Sequence, residues 1–112
     1  DEGGLTGALN RETQFPKGDF RGQYFRGDNL AQTVERVERL TTLLGPEAKS
    51  MPELALRFIL SHDAVSTVIA GMRRHRHVSA NAAVSDGRRL SPTLTNDLRG
   101  HAWKRNFYGW WD

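Results

Sequence analysis

Ser66-Thr-Val-Ile-Ala-Gly-Met-Arg-Arg-His-Arg-His-Val-Ser-Ala-Asn81 passes from a short β-branched run through Gly71 into a basic cluster and then into helical spacing. That order predicts a strand end, a turn and a helix start around Arg73, the arrangement with which α/β proteins build a phosphate site. Residues 65–70 read as the clearest strand, and their nearly continuous small and apolar character suits a parallel strand covered on both faces. Such a strand cannot stand alone, because its backbone donors and acceptors need neighbours. Beyond Gly71 a helix is expected from His75 to Val84, with Val78 and Ala82 facing inward and Ser85-Asp86-Gly87 as its stop. Arg73 and Arg74 precede the positive end of that helix, and Arg73, next to the strand exit, is the better bidentate clamp for phosphate. The same residues also fit a solvated basic turn.

The chain has 112 residues, enough for one modest domain, but only 38% are apolar, which leaves a sizeable self-sufficient core in doubt. Lys and Arg number 16 against 13 Asp and Glu, a net charge of +3 that favours anionic ligands only weakly. The absence of cysteine removes disulfide frameworks and thiol chemistry and fits a reducing compartment. No apolar run reaches the roughly 18 residues of a membrane span, so a cytoplasmic setting without membrane association is expected. The opening Asp1-Glu-Gly-Gly, with no Met, reads as an amino end that is processed, excised or incompletely represented.

Residues 1–27 read as irregular, with recurrent glycines and with Pro16 biasing Phe15 toward extended backbone. Phe15, Phe20, Tyr24 and Phe25 are expected to anchor this long loop by burial. Asp28 or Asn29 then caps a helix whose Leu30, Val34, Val37, Leu40, Leu43 and Leu44 keep a three-to-four spacing, and Gly45-Pro46 ends it. Ser50 and Glu53 have capping-box spacing, with Pro52 in the first turn of a helix that runs through Leu54, Ala55, Phe58 and Ile59. His62-Asp63 at its exit has the composition of a base and its orienting carboxylate, yet no nucleophile at a suitable spacing completes it, and a turn or capping role is the simpler reading. A last helix starts at Ser91-Pro92, followed by an aromatic tail containing Phe107, Tyr108, Trp110 and Trp111.

His75 and His77 lie two apart and diverge on a helix, so they make poor metal ligands, and no metal is expected. The short basic cluster lacks a nucleic-acid-binding module, and no nucleic-acid partner is expected. Neither a GxGxxG nor a P-loop fingerprint is present.

Taken together, Gly3-Gly-Leu-Thr-Gly7, the Leu54-Ala-Leu-Arg-Phe-Ile-Leu60 helix, Ile69-Ala-Gly-Met-Arg73 and His77-Val-Ser-Ala-Asn81 resemble the carboxyl-terminal portion of the aldo/keto reductase family, in family order. The resemblance implies an α/β fold: part of a TIM (β/α)8 barrel, mostly helical, with strand eight at about 65–70. It divides the chain into a cofactor-side loop (1–27), a helical region (28–61), strand eight with helix eight (65–84), and a terminal helix with the aromatic tail (91–112). It implies NADP(H) as cofactor, with Gly4, Leu5 and Gly7 over the pyrophosphate, Gly71, Met72 and Arg73 at the adenosine phosphate, His77 beside that phosphate and Asn81 on adenine. Arg74-His75 stands where family members often have Asn-Pro or Thr-Pro, which leaves the helix entrance less preorganised. The catalytic Tyr, Lys, Asp and His of the family come from earlier barrel segments, and no catalytic residue transfers to this chain.

The expectation is therefore the cofactor-binding part of an oxidoreductase that reduces aldehydes or ketones when the barrel is complete, with the fragment inactive alone. Its partners would be the rest of the barrel or another chain, including a second copy. Two alternatives remain open: a non-catalytic structural or oligomerisation fragment, and a standalone dinucleotide-binding module.

Overall fold

The computed structural model describes residues 2–103 together with 107 and 108. A single 3₁₀ turn at Gly4–Thr6 is followed by five α-helices: α1 (Phe20–Tyr24), α2 (Asn29–Thr41), α3 (Met51–Leu60), α4 (His75–Ala83) and α5 (Pro92–Gly100). No strand occurs among the described residues.

Local chemistry sets the helix ends. Asp19 caps α1 by accepting from the Arg21 backbone N–H. Ser50 caps α3 through the Glu53 N–H at 3.3 Å, and Glu53 reaches back one residue beyond the cap to accept from the Lys49 N–H at 2.9 Å. Ser91 caps α5 through the Leu94 N–H at 3.2 Å. Pro52 and Pro92 occupy the first turns of α3 and α5, where a missing N–H leaves no hydrogen bond unmade.

Two apolar clusters hold the helices. Val37 from α2, Met51 and Leu54 from α3, Ala48 and Leu90 form the first, with Leu40, Leu43, Leu44, Phe58, Leu94 and Leu98 around it. Leu54 is only 2% exposed, and burial on this scale is worth about 1.5–3 kcal/mol for one leucine. The second cluster is aromatic: Tyr24, Phe25 and Phe107 are buried, with Leu9, Phe15, Leu30 and Trp103 packed against them. Phe15 stacks on Phe25 with centroids 5.6 Å apart, and Tyr24 meets Phe107 edge-on at 5.2 Å. The opening segment is thus anchored by its rings, although Phe20 stays 43% exposed. It also contains α1 and the 3₁₀ turn, neither of which its irregular composition suggests. Trp110 and Trp111 of the expected aromatic tail lie outside the described residues.

The expected partial (β/α)8 barrel is not formed by the described residues. Residues 65–70, read as strand eight, carry no regular secondary structure, and Ile69 within them is 96% exposed. A β-branched run becomes a strand only when neighbouring backbone accepts its hydrogen bonds and neighbouring side chains cover it. No second strand is available to it among the described residues. The α4 helix begins at His75 as its spacing suggests, but Val78 is exposed rather than inward, and burial on this side is confined to the cap residue Val84.

Candidate functional site

The residues singled out from the sequence fall into two groups held by different contacts. Gly4, Leu5 and Gly7 lie on and beside the 3₁₀ turn, which packs on α2 and α3. Gly4 is buried, and a Cβ there would come within 3.3 Å of Thr33 Cγ2, closer than an ordinary contact, so a side chain at this position would require Thr33 to give way. Gly7 adopts φ +73° against the Met51 side chain, a left-handed conformation that only glycine takes without strain. Leu5 is partly exposed.

Gly71, Met72 and Arg73 are exposed on the irregular stretch before α4, and His77 and Asn81 lie on α4 itself. Within this group Asn81 Nδ2 donates to the Gly71 carbonyl at 3.2 Å, tying the stretch to the helix. His77 Nε2 accepts from Arg76 Nε at 3.3 Å. His62 and Asp63 do not act as a pair: the Ala64 N–H donates to His62 Nδ1, while Asp63 is engaged by Arg89, which holds its carboxyl below the usual range. Among the described residues no three His, Asp or Glu side chains gather where a metal ion could be held.

The strongest electrostatic centre lies elsewhere, at Arg57. This arginine sits midway along α3, 2% exposed, among residues whose helical spacing otherwise reads as apolar. Its Nη1 and Nη2 each donate to Asp86 at 2.9 Å, Nη1 also donates to the Arg88 carbonyl at 3.1 Å, and Nε donates to Glu53 Oε1 at 2.9 Å. Asp86 further accepts from Arg88, through its backbone N–H at 2.9 Å and its Nε at 2.8 Å. Hydrogen bonds from Arg57 first, and then Arg88, hold the Asp86 carboxyl far below its ordinary value. Glu53 is lowered by the Lys49 N–H and then by Arg57. The Arg57 guanidinium, raised in turn by Asp86, stays charged although buried. Sequence reading missed this centre because its partners lie 29 residues apart. Along the chain Asp86 reads only as part of a helix stop.

A second cross-link secures α5. Glu47 accepts from the Ser91 N–H at 2.6 Å and from Ser91 Oγ at 2.9 Å, a bond spanning 44 residues. Near the amino end, the Arg21 side chain, reinforced by its N–H, pulls Asp19 down to about 2.

The chain is thus a small helical domain whose buried charge joins one helix to a later loop. The model of the aldo/keto reductase family matches residues 2–102, and the chain belongs to that family. Nothing among curated proteins or solved structures matches it. The fold corrects what the resemblance implies about mechanism. A barrel-type dinucleotide site is assembled at the ends of parallel strands, and no strand among the described residues brings Gly4, Leu5 and Gly7 to Gly71, Met72 and Arg73. The expected NADP(H) cofactor, the role as the cofactor-binding part of an oxidoreductase and the standalone dinucleotide-binding module fall together on that ground. So does the expected partnership, since the described residues form no partial barrel for the remaining barrel or another chain to complete. No described helix is long and apolar enough to cross a membrane.

Proposed function

We propose that this chain is a non-catalytic structural module, working through its packed helical body. The observation that carries the reading is the direction in which its acidic groups are displaced. Asp19, Glu53, Asp63 and Asp86 are all lowered, each by an arginine side chain or a backbone N–H that stabilises the ionised form. A general acid at neutral pH needs the opposite shift, toward the working pH. Burial also pushes the Tyr24 phenol up, away from easy proton donation. The charge at Arg57, Arg88 and Arg89 therefore cross-links distant segments, and Gly4 and Gly7 serve close packing and a tight turn. The cysteine-free sequence supports a reducing, cytoplasmic setting as part of the same proposal.

The test is to incubate the purified chain with NADPH and a panel of aldehydes and ketones while following its thermal unfolding. Cooperative unfolding with no consumption of NADPH above a protein-free control is expected. Sustained turnover by the cooperatively folded chain would overturn the reading.

A further inference from the structure

The 3₁₀ turn, one face of α2 and the chain just after α5 enclose a cleft of about 250 Å³. Leu5, Val37 and Leu40 make its walls apolar, and Arg36, His101 and Trp103 bring polar and aromatic groups to it. The carbon at the centre of the Arg36 guanidinium lies 4.4 Å from the Trp103 ring centroid, a cation–π contact. Arg36 takes part in none of the ion pairs formed among the described residues, in contrast to Arg39 one turn on, which engages Glu35. No carboxylate lines the cleft.

We propose that this cleft binds a small organic carboxylate carrying an aromatic or branched aliphatic body. An apolar cavity of about 150 Å³ accepts one benzene ring, so the volume here suits a ring with a short acidic arm. The guanidinium is the natural partner for the acid, because its planar fork pairs with both oxygens of a carboxylate. Trp103 limits the orientations of that fork before ligand arrives, which reduces the ordering cost of binding. His101 adds a second polar group to the lining, from the end of α5. A cationic ligand is disfavoured by Arg36 and by the lack of a lining carboxylate, and a bare inorganic anion would leave the apolar walls uncovered. The site requires no turnover and stands apart from the structural reading, so either can fail without the other.

The test is a titration of the ¹⁵N-labelled 112-residue chain with phenylacetate, and separately with its uncharged isostere phenylacetamide, at fixed ionic strength. Saturable shifts of the Trp103 indole N–H and of the Leu5 and Leu40 amides are expected with the acid, and affinity about ten-fold weaker with the amide, the worth of a charge-assisted pair. Arg36→Gln should bring the acid down to the level of the amide, with Arg36→Lys in between. Equal affinity for acid and amide, or no saturable shift, would overturn the proposal. So would an acid affinity unchanged in a folded Arg36→Gln chain. Should that variant not fold, the comparison of acid and amide on the unsubstituted chain decides alone.

Discussion

Asp86 receives Arg57 through both carboxylate oxygens, each at 2.9 Å, and so fixes the loop after α4 to the buried middle of α3. The two differ in exposure: Arg57 is 2% exposed at its side chain and Asp86 34%. Loss of either partner therefore has a different consequence.

Arg57→Met keeps an apolar stem in the core and removes every bond of the guanidinium. Glu53 and Asp86 remain near enough to water, and to Arg88, to be solvated or paired. The expected loss is about 1.5–3 kcal/mol, the range for hydrogen bonds to charged groups. Asp86→Asn leaves the buried cation with a weaker partner, and its melting temperature should fall further than that of Arg39→Ala, which breaks only the exposed pair with Glu35. Chemical denaturation of the three variants gives the order. A stability unchanged by Arg57→Met would mean that the cluster sets geometry without contributing to stability.

The same carboxylates fix the response to acid. Their folded pKa values lie below the ordinary ones, so the stabilisation is complete above the ordinary carboxylate range and disappears as pH falls through the folded values. For Asp19 the loss runs from 3.8 down to about 2, and for Asp86 it continues to lower pH. Melting temperature should be level from neutral pH to the upper edge of the carboxylate range and then decline. The decline should be shallower in Asp86→Asn. A decline that begins near neutrality would point to groups other than these.

Two glycines should respond in opposite directions to the same substitution. Gly7→Ala meets only ordinary contact with Met51 but must hold φ +73°, a conformation that costs an L-residue about 1–2 kcal/mol. Gly100, at the end of α5, has open space around it and no positive φ, so Gly100→Ala should stabilise by about 0.4–1 kcal/mol through the unfolded chain. Paired denaturation curves check both signs.

Ser91→Ala removes the α5 cap and one of the two bonds to Glu47. A cost of about 1 kcal/mol is typical for a lost cap. Amide exchange should accelerate across α5 well before it does in α3. Uniform acceleration through both helices would show that α5 does not open by itself.

Local signals in the sequence carry most of the helical layout. Gly45-Pro46, the Ser50 and Glu53 pair, the turn before His75 and Ser91-Pro92 mark boundaries close to those observed, because capping and proline chemistry act within a few residues. Phe15, Tyr24 and Phe25 are legible as anchors for a different reason, since large rings are buried wherever the fold offers them cover. What the sequence could not specify is set at a distance. Residues 65–70 have strand composition, but a strand is a relation between segments, and no partner segment stands beside them among the described residues. Arg57 looks like an interruption in an apolar helix until Asp86 is placed against it. The cleft at Arg36 is likewise invisible along the chain, since Leu5 and Trp103 come from opposite ends of the described sequence.

The bare segment at residues 65–72 has one more consequence. Exposed backbone outside any helix is where proteases cut first, and Ile69 and Met72 stand open to solvent there. Yet several polar ties bridge that point: Arg57 to Asp86, the Leu90 N–H to Ser61 Oγ, and Ser91 to Glu47. A chain nicked once at Ile69 should migrate as two pieces in denaturant and as one body without it, a split protein reassembled by these polar ties and by the apolar cluster that spans the cut.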